Sequence, residues 1–479
     1  MIPSSQNVVT ARVPLIEEMA SADLGDERLN ARRDRVIAVL EQRPDAGFPD
    51  ACGTDAETEA LYRFLRNRRV SCAGVIEPHL RATTDRCTAL GEVLVIHDTT
   101  EASFSGEKPR PGLTKLGPQR HGFWLHAALA ASADGMRAPL GLLSLMPFVR
   151  QPDATRARKP NWRQRFNDPN KESRRWIDGV AAVRQRLGTE TRPVHLMDRE
   201  GDNYELFTAL IEHGDRFVVR LNYDRHLATA EEATAPATIN AARPARALGE
   251  RAITVSARRV GKRPKPNVKR RPARSHRIAT VRFAAAGVTL KRPRDHRDPM
   301  PLSLAVHVVY VWETNAPTGE TPIEWRLVTT EPIDTAEQVL RIVEWYRTRW
   351  MIEEFFKCLK TGCAYEKRQL ESLDTLLVAL ALLAPIAWQL LLMRHLARKL
   401  PALHASVVLT ARQIGILRTT PGGHTLSSTP SIREALLAVA RLGGHLRQNG
   451  EPGWLVLARG LQKLLCMESG WVAAQMTNM

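Results

Sequence analysis

The chain has 479 residues, of which 43% are hydrophobic and 25% charged, an ordinary composition for a folded globular protein of about two to four domains. Its charge is unbalanced, because 69 Lys and Arg against 51 Asp and Glu leave a formal net charge of +18. This excess predicts a polyanionic partner, nucleic acid first and an acidic membrane second. The six cysteines show no zinc-site spacing, so we expect reduced thiols in a cytoplasmic protein.

Residues 1–70 have the pattern of helices in which basic side chains are concentrated. Arg28, Arg32 and Arg63 lie in these segments, next to the aromatic Tyr62. Arginine-rich helices of this kind suit contacts with DNA phosphates. A solvated helix surface explains the same charges equally well.

From residue 92 the pattern changes to short apolar runs typical of strands, which are "EVLVIHD", "FWLHAALAAS" and "LGLLSLMPFV". Helix and strand then alternate from about residue 171 to residue 222. Successive strands followed by such alternation predict an α/β domain with a mixed sheet and flanking helices.

Residues 224–323 interrupt this alternation with a β-rich insertion. Between Arg258 and Arg277, ten of twenty residues are Lys or Arg and none is acidic. A solvated tether is possible, but uncompensated cations repel one another, so we favour a contact with the DNA backbone. The cations expected to make this contact include Lys269, Arg270 and Arg271.

The last part of the chain, residues 366–479, is predicted to be helical. Its segment Leu376–Met393 is apolar and long enough to cross a membrane, but it contains Pro385 and Gln389. In so basic a chain we expect a buried core helix and no membrane partner.

Three carboxylates lie at positions that suit metal-dependent chemistry on a phosphodiester. Asp98 and Asp198 close predicted strands, and Glu353 lies on a predicted helix after the sheet. An isolated aspartate at a strand end is more often the N-cap of the next helix. Three carboxylates together, however, provide hard oxygen ligands for two Mg²⁺ or Mn²⁺ ions about 3.5–4 Å apart. One ion would activate the attacking oxygen and the other would stabilise the leaving oxygen.

The helix around Glu353, "YRTRWMIEEFFKCLK" over 346–360, has two stripes at 100° per residue. The apolar stripe is expected to face the core, and the polar stripe gathers Tyr346, Arg349, Glu353, Lys357 and Lys360. The alternative is a solvated face with i,i+4 ion pairs. Glu354 lies about 100° away round the helix and is the less suitable metal ligand.

The segments "HDTT" at 97–100 and "DRE" at 198–200, with Y-x2-R-x3-E-x6-K from Tyr346 to Lys360, resemble the DDE transposases of the insertion-sequence-four family. The similarity extends over nearly the whole chain. It implies an N-terminal DNA-end-binding domain at 1–70 and a helical dimerisation domain at 366–479. Between them it implies an RNase H-like catalytic core at 71–365, with the β insertion at about 224–323.

The resemblance also implies a role for each matching residue. Asp98, Asp198 and Glu353 would hold two Mg²⁺ ions, which Mn²⁺ can replace. The residues that would hold phosphates near the cut are Tyr346, Arg349 and Lys360, with Lys357 and Arg220 as further candidates. Trp325 would stack on a base flipped out of the transposon end, and its alternative role is core packing.

The implied activity is cut-and-paste transposition in the bacterial cytoplasm. A homodimer in a synaptic complex would bind the inverted repeats at the transposon ends, cut them through hairpin intermediates and join them to target DNA. The alternatives are an RNase H-like nuclease without strand transfer and a domesticated DNA-binding protein. Intact carboxylates at all three positions argue against the last of these.

Overall fold

The computed structural model describes residues 4, 7, 15–106, 110–117, 120–149, 171, 173–228, 238–255, 257, 273–294, 296, 300–421, 425–446, 448 and 450–477. The chain forms two compact units. The first consists of Met1–Arg156, Gly179–Arg192 and Trp350–Met479, and the second of Ala157–Asp178 and Pro193–Arg349.

The first unit contains four antiparallel strands. They are β1 (Glu92–Ser105), β2 (Thr114–Gly117), β3 (Arg120–Ser132) and β4 (Pro139–Phe148). Strand β3 pairs with β1 along its whole length and with β2 and β4 in turn. The apolar run Val93–Ile96 in β1 is fully buried, as expected for a strand covered on both faces. Strand β2 was not predicted.

Helices make up most of the first unit. Those before the sheet are α1 (Leu15–Met19), α2 (Glu27–Gln42), α3 (Phe48–Cys52), α4 (Asp55–Leu65) and α5 (Cys72–Leu90). Helix α6 (Arg174–Leu187) follows β4, and its residues from Gly179 onward belong to this unit. The later ones are α9 (Trp350–Lys357), α10 (Leu373–Lys399), α11 (Ala411–Arg418), α12 (Ile432–Leu442) and α13 (Trp454–Thr477), with short turns at Cys358–Gly362 (π), Tyr365–Lys367 (3-10) and Ala405–Val407 (3-10).

Helix α10 is the core helix of this unit. A capping box formed by Ser372 and Thr375 starts it, and it packs against α5, β4 and α12. By length and composition α10 could span a membrane, but 89% of its apolar window is buried inside the protein. The predicted burial of this segment is therefore confirmed, because a helix apolar on all sides needs neighbours on all sides.

The second unit contains the remaining strands. They are β5 (Arg192–Met197), β6 (Arg216–Arg220), β7 (Gly249–Val255), β8 (Arg277–Lys291), β9 (Ser303–Glu313) and β10 (Glu324–Thr329). Their order is β5-β6-β10-β9-β8-β7, with β5 and β6 parallel and the other pairs antiparallel. Helices α7 (Tyr204–Glu212) and α8 (Ala336–Thr348) pack on this sheet. The predicted α/β class with a mixed sheet is confirmed.

The β-rich character predicted for 224–323 is also confirmed, since β7, β8 and β9 form an antiparallel set there. The division into domains at 1–70, 71–365 and 366–479 stays a prediction. The first compact unit draws its residues from both ends of the chain.

Candidate active site

Asp98 lies in the middle of β1, and not at its end as predicted. The strand continues to Ser105, and Asp98 is paired with Ala127 of β3. The run after Asp98, "TTEASFS", is rich in polar residues, but pairing with β3 keeps it extended. The Asp98 side chain is half-buried, and its Oδ1 accepts a hydrogen bond from the Thr99 amide at 2.7 Å.

Glu353 is half-buried on α9, and the buried Ile352 and Phe355 beside it anchor this helix. Helix α9 contacts β1 within the first unit. The structure therefore places two of the three predicted ligands, Asp98 and Glu353, on neighbouring elements.

The prediction of one continuous helical face from Tyr346 to Lys360 is wrong. Helix α8 ends at Thr348, α9 begins at Trp350, and a π turn follows at Cys358–Gly362. A π turn holds more residues per turn than an α-helix, so positions beyond it leave the 100° spacing. The apolar stripe survives this interruption, because Trp345, Ile352, Phe356 and Leu359 are all buried.

Lys360 is tied to β1 through the π turn. Its Nζ donates to the Glu101 carbonyl and lies 3.4 Å from the Glu366 carboxylate, which in turn accepts the Ser103 amide at 3.0 Å. Lys357 is exposed and pairs with Glu354 at 3.2 Å. Of the two lysines, Lys360 alone is held against the strand that carries Asp98.

Glu354 has a separate role. Its carboxylate accepts hydrogen bonds from Arg394 at 2.9 Å and from the Trp454 indole at 3.0 Å, in addition to Lys357. Burial raises the pKa of Glu354, but Arg394 and Lys357 outweigh burial and lower it overall. Glu354 thus joins α9 to α10 and α13.

In the second unit, Asp198 directly follows β5, as predicted. Its Oδ1 accepts the Glu200 amide at 2.8 Å and so caps the 3-10 turn Arg199–Gly201. Asp198 therefore both follows the end of a strand and caps the turn after it.

Arg220 ends β6 on the same sheet edge as Asp198. The parallel register pairs Met197 with Val219, so the two residues that follow emerge side by side. The Arg220 guanidinium donates to the Glu324 carbonyl at 2.9 Å. Burial lowers the pKa of Arg220, and the nearby Tyr346 opposes this shift.

Tyr346 and Arg349 are buried, with exposures of 3% and 5%, so these two residues do not belong to the solvated face that was the alternative interpretation. Burial raises the pKa of Tyr346, Asp198 adds to the effect, and Arg220 and Arg349 oppose it. These influences show that all four side chains share one electrostatic environment.

Trp325 completes this group from β10. Its ring is half-buried and meets the Tyr346 ring edge to face, with centroids 5.3 Å apart and planes at 64°. We call Asp198, Arg220, Trp325, Tyr346 and Arg349 the strand-end cluster. Arg199, which was not among the predicted residues, adds positive charge beside Arg220, and its position directly after Asp198 was the available signal.

The predicted DNA-contacting residues of the N-terminal helices are partly engaged within the protein. Arg32 pairs with Glu57 at 2.7 Å, and Arg63 lies 4.0 Å from Glu59. Tyr62 packs edge to face on Phe48, with ring centroids 6.2 Å apart. Arg28 and Arg63 are both exposed, so these two side chains are accessible to phosphate. Lys269, Arg270 and Arg271 lie outside the described residues.

The three predicted ligands are hard carboxylate donors, which suit a divalent ion such as Mg²⁺ or Mn²⁺. Within the described ranges, no three His, Cys, Asp or Glu side chains form a cluster that could hold a metal ion. The chemistry of these carboxylates fits a divalent ion. The described residues do not define a coordination geometry for it.

Two family models match this chain. Residues 15–70 match the model described as transposase DNA-binding, and residues 167–388 match the transposase DDE domain. The matched domains support a DNA transposase as the class of protein. In particular, they support a DDE transposase that carries its own DNA-binding region, a group that generally depends on divalent metal ions. Asp198 and Glu353 lie inside the DDE match, and Asp98 precedes it.

One similar solved structure is a piggyBac transposase in a synaptic complex with hairpin DNA, determined by cryo-electron microscopy. The match covers 82% of this chain and 75% of that chain, at 9% identity and a TM-score of 0.36. A likeness at this level carries no argument about the site.

Proposed function

We propose that this protein is a cut-and-paste transposase of the insertion-sequence-four type, with a residue pattern like that of the transposase of the bacterial transposon Tn-five. One observation carries the proposal: a transposase DNA-binding region at 15–70 and a DDE domain at 167–388 occur on one chain of net charge +18. The first region binds the inverted repeats at the transposon ends. The second, an RNase H-like core, cuts them and joins them to target DNA.

Asp98, Asp198 and Glu353 would hold two Mg²⁺ ions, which Mn²⁺ can replace. When bound, divalent ions supply Lewis-acid stabilisation of the phosphate and make water a better nucleophile at neutral pH. The position of Asp98 and Glu353 on the contacting elements β1 and α9 supports their pairing as ligands.

The protein's own side chains would position the DNA. Arg220 and Arg349 of the strand-end cluster hold the phosphate near the cut, since a guanidinium binds phosphate oxygens through two N–H groups. Lys360 and Tyr346 add a point charge and a hydroxyl donor. Trp325, with part of its ring exposed, stacks on a base flipped out when the end forms a hairpin.

Assembly as a homodimer would bring two transposon ends together in a synaptic complex. Residues 366–479 are the proposed dimerisation region. The complex would act on the bacterial nucleoid in the cytoplasm.

The test starts from the DNA that flanks the gene. Inverted repeats found there are made as duplex ends and incubated with the full-length protein, Mg²⁺ and a target plasmid. We expect a nick at each end, then a hairpin, then joining to the plasmid, with Glu353→Gln protein as the inactive control. Nicks without joining would favour a nuclease, and binding without cleavage would favour a domesticated DNA-binding protein.

A further inference from the structure

Asp202 is a buried carboxylate four residues after Asp198, and no role assigned so far involves it. Its side chain is 0% exposed. Oδ2 accepts the amides of Asn222 at 2.6 Å and Tyr223 at 2.9 Å. Oδ1 accepts Nε of Arg225 at 2.7 Å, and Nη2 of the same guanidinium lies 2.6 Å from Oδ1 in an ion pair. Both oxygens are thus engaged within the protein, which agrees with a structural carboxylate.

The donors to Asp202 lie in the segment that leaves β6. Asn222 and Tyr223 come two and three residues after Arg220. Arg225 also donates to the Asp202 carbonyl at 3.0 Å, and its guanidinium lies over the Phe207 ring of α7 at 5.4 Å. The Asp202 carboxylate therefore fixes the backbone just beyond Arg220.

The Asp202 backbone, in turn, belongs to the turn that begins at Asp198. The Asp198 carbonyl accepts the Gly201 amide at 3.1 Å, and the Asp202 amide donates to the Arg199 carbonyl at 3.3 Å. A Cβ on Gly201 would lie 2.9 Å from the Met197 Cβ and 3.4 Å from the Val219 side chain. The turn thus lies directly on the ends of β5 and β6, with no room for a side chain at Gly201.

We propose that Asp202 is a positioning residue that sets the place of Asp198 relative to Arg220. It joins the turn after β5 to the segment after β6, and so holds a metal ligand and a phosphate-binding arginine at one separation. This inference rests on the proposed function, in which those two residues act on the same phosphate. Buried partners of metal ligands commonly change metal affinity or activity by about 10–100-fold when they are replaced.

The second unit contains a matched control for loss of a buried ion pair. The Glu313 side chain is also 0% exposed. It accepts Nε and Nη2 of Arg277 at 2.7 and 2.9 Å and the Ile323 amide at 2.8 Å. It lies at the end of β9, and none of its partners belongs to the strand-end cluster. Glu313→Gln therefore removes an equivalent ion pair that includes no member of the strand-end cluster.

The experiment compares full-length wild type, Asp202→Asn and Glu313→Gln. Thermal denaturation measures the loss of stability, which we expect to be similar in the two variants. Single-turnover nicking is measured on complexes with the duplex transposon end already bound. Mn²⁺ affinity is measured separately, by isothermal titration calorimetry on the same complexes at a pH where nicking is slow.

We expect Asp202→Asn to slow nicking about 10–100-fold and to weaken Mn²⁺ binding, with Glu313→Gln within about two-fold of wild type on both counts. Should Asp202→Asn fail to fold, Arg225→Lys is the second variant. It keeps the positive charge but loses the planar guanidinium with its paired N–H donors, and we expect it also to slow nicking. If the Asp202 or Arg225 variant had the same nicking rate and Mn²⁺ affinity as Glu313→Gln, this inference would be overturned and the proposed function would stand. A wild type that neither nicks nor binds Mn²⁺ would overturn the proposed function together with the inference.

Discussion

The indole of Trp325 meets the phenol ring of Tyr346 edge to face, with the ring centroids 5.3 Å apart. Tyr346 is buried, whereas Trp325 is only half-buried. A buried phenol thus supports an aromatic ring that is still available to a ligand. Such a ring can stack on a nucleobase without first leaving a packed core.

For Trp325→Ala, we expect first-strand nicking at near wild-type rate and slower hairpin formation. Stacking of a flipped base contributes roughly 1–3 kcal/mol, and it is made only after the duplex end is distorted. A gel assay that resolves nicked from hairpin product, run beside thermal denaturation, measures both effects.

Trp345→Ala is the matched control, since Trp345 is 1% exposed in the same unit. Truncation of such a core residue should cost about 3–5 kcal/mol of unfolding free energy and depress every step together. If Trp325→Ala showed that same uniform loss, Trp325 would be a packing residue.

The variants Asp98→Ala, Asp198→Ala and Glu353→Ala should each abolish strand cleavage and leave binding of the transposon end largely intact. Each one removes a proposed metal ligand without removing a positive charge. Mobility-shift titration measures binding, and a cleavage assay in Mg²⁺ measures activity. Near wild-type cleavage by any of the three would remove that residue from the site.

Glu354→Ala should lower stability by about 1.5–3 kcal/mol, because Arg394 and Trp454 lose the acceptor that they share. The folded variant is expected to retain most of its cleavage activity, since Glu354 is not a proposed metal ligand. Lys357→Ala is the comparison for stability, because this exposed lysine contributes at most about 1 kcal/mol. Denaturant titration of both variants decides the matter, and equal losses would contradict a bridging role for Glu354.

Acid should destabilise the first unit through the buried Glu18. Burial raises the pKa of Glu18, but His79 at 2.6 Å and Arg86 at 2.7 Å outweigh burial and lower it from 4.5 to about 2. The folded pKa is below the unfolded one, so this stability is present above pH 4.5 and is lost as the pH falls toward about 2. At roughly 1.4 kcal/mol per unit the loss is about 3 kcal/mol.

As the pH falls, His79 causes a further loss of stability, which begins at a higher pH than the loss caused by Glu18. Burial lowers the pKa of His79 below 6.5, and Glu18 opposes this shift. Below pH 6.5 the unfolded chain takes up this proton before the folded chain does. Urea unfolding of wild type and Glu18→Gln from pH 7 to pH 3 measures both effects, and parallel curves for the two proteins would refute the part assigned to Glu18.

DNA binding should weaken steeply with salt, since each neutralised phosphate contributes about −0.9 to the slope of log K against log salt. Replacing Lys269, Arg270 and Arg271 together by Ala should make that slope shallower by up to about 2.7. Arg282→Ala is the control on the same insertion, because Arg282 lies 3.6 Å from Glu250. A slope that the triple variant leaves unchanged would make the basic segment a solvated tether.

The sequence by itself determined the class of the fold and the order of its elements. Short apolar runs such as Val93–Ile96 become buried strands wherever they pair, and the apolar stripe through Trp345 and Ile352 had to face a core. The position of Asp198 also followed from local pattern, since a buried run ends immediately before it. These features depend on hydrophobic periodicity, which is a property of short segments.

The tertiary structure decided what local pattern does not contain. Asp98 stays within β1 because β3 supplies hydrogen bonds along the polar half of that strand. The helix that carries Glu353 is interrupted at Arg349 and at the π turn. Tyr346 is buried with the Trp325 ring of β10 packed on it, a neighbour distant in sequence. The same position on a helix can be exposed or buried, depending on which other elements cover it. A buried polar group also needs a hydrogen-bond partner, which often comes from a distant part of the sequence.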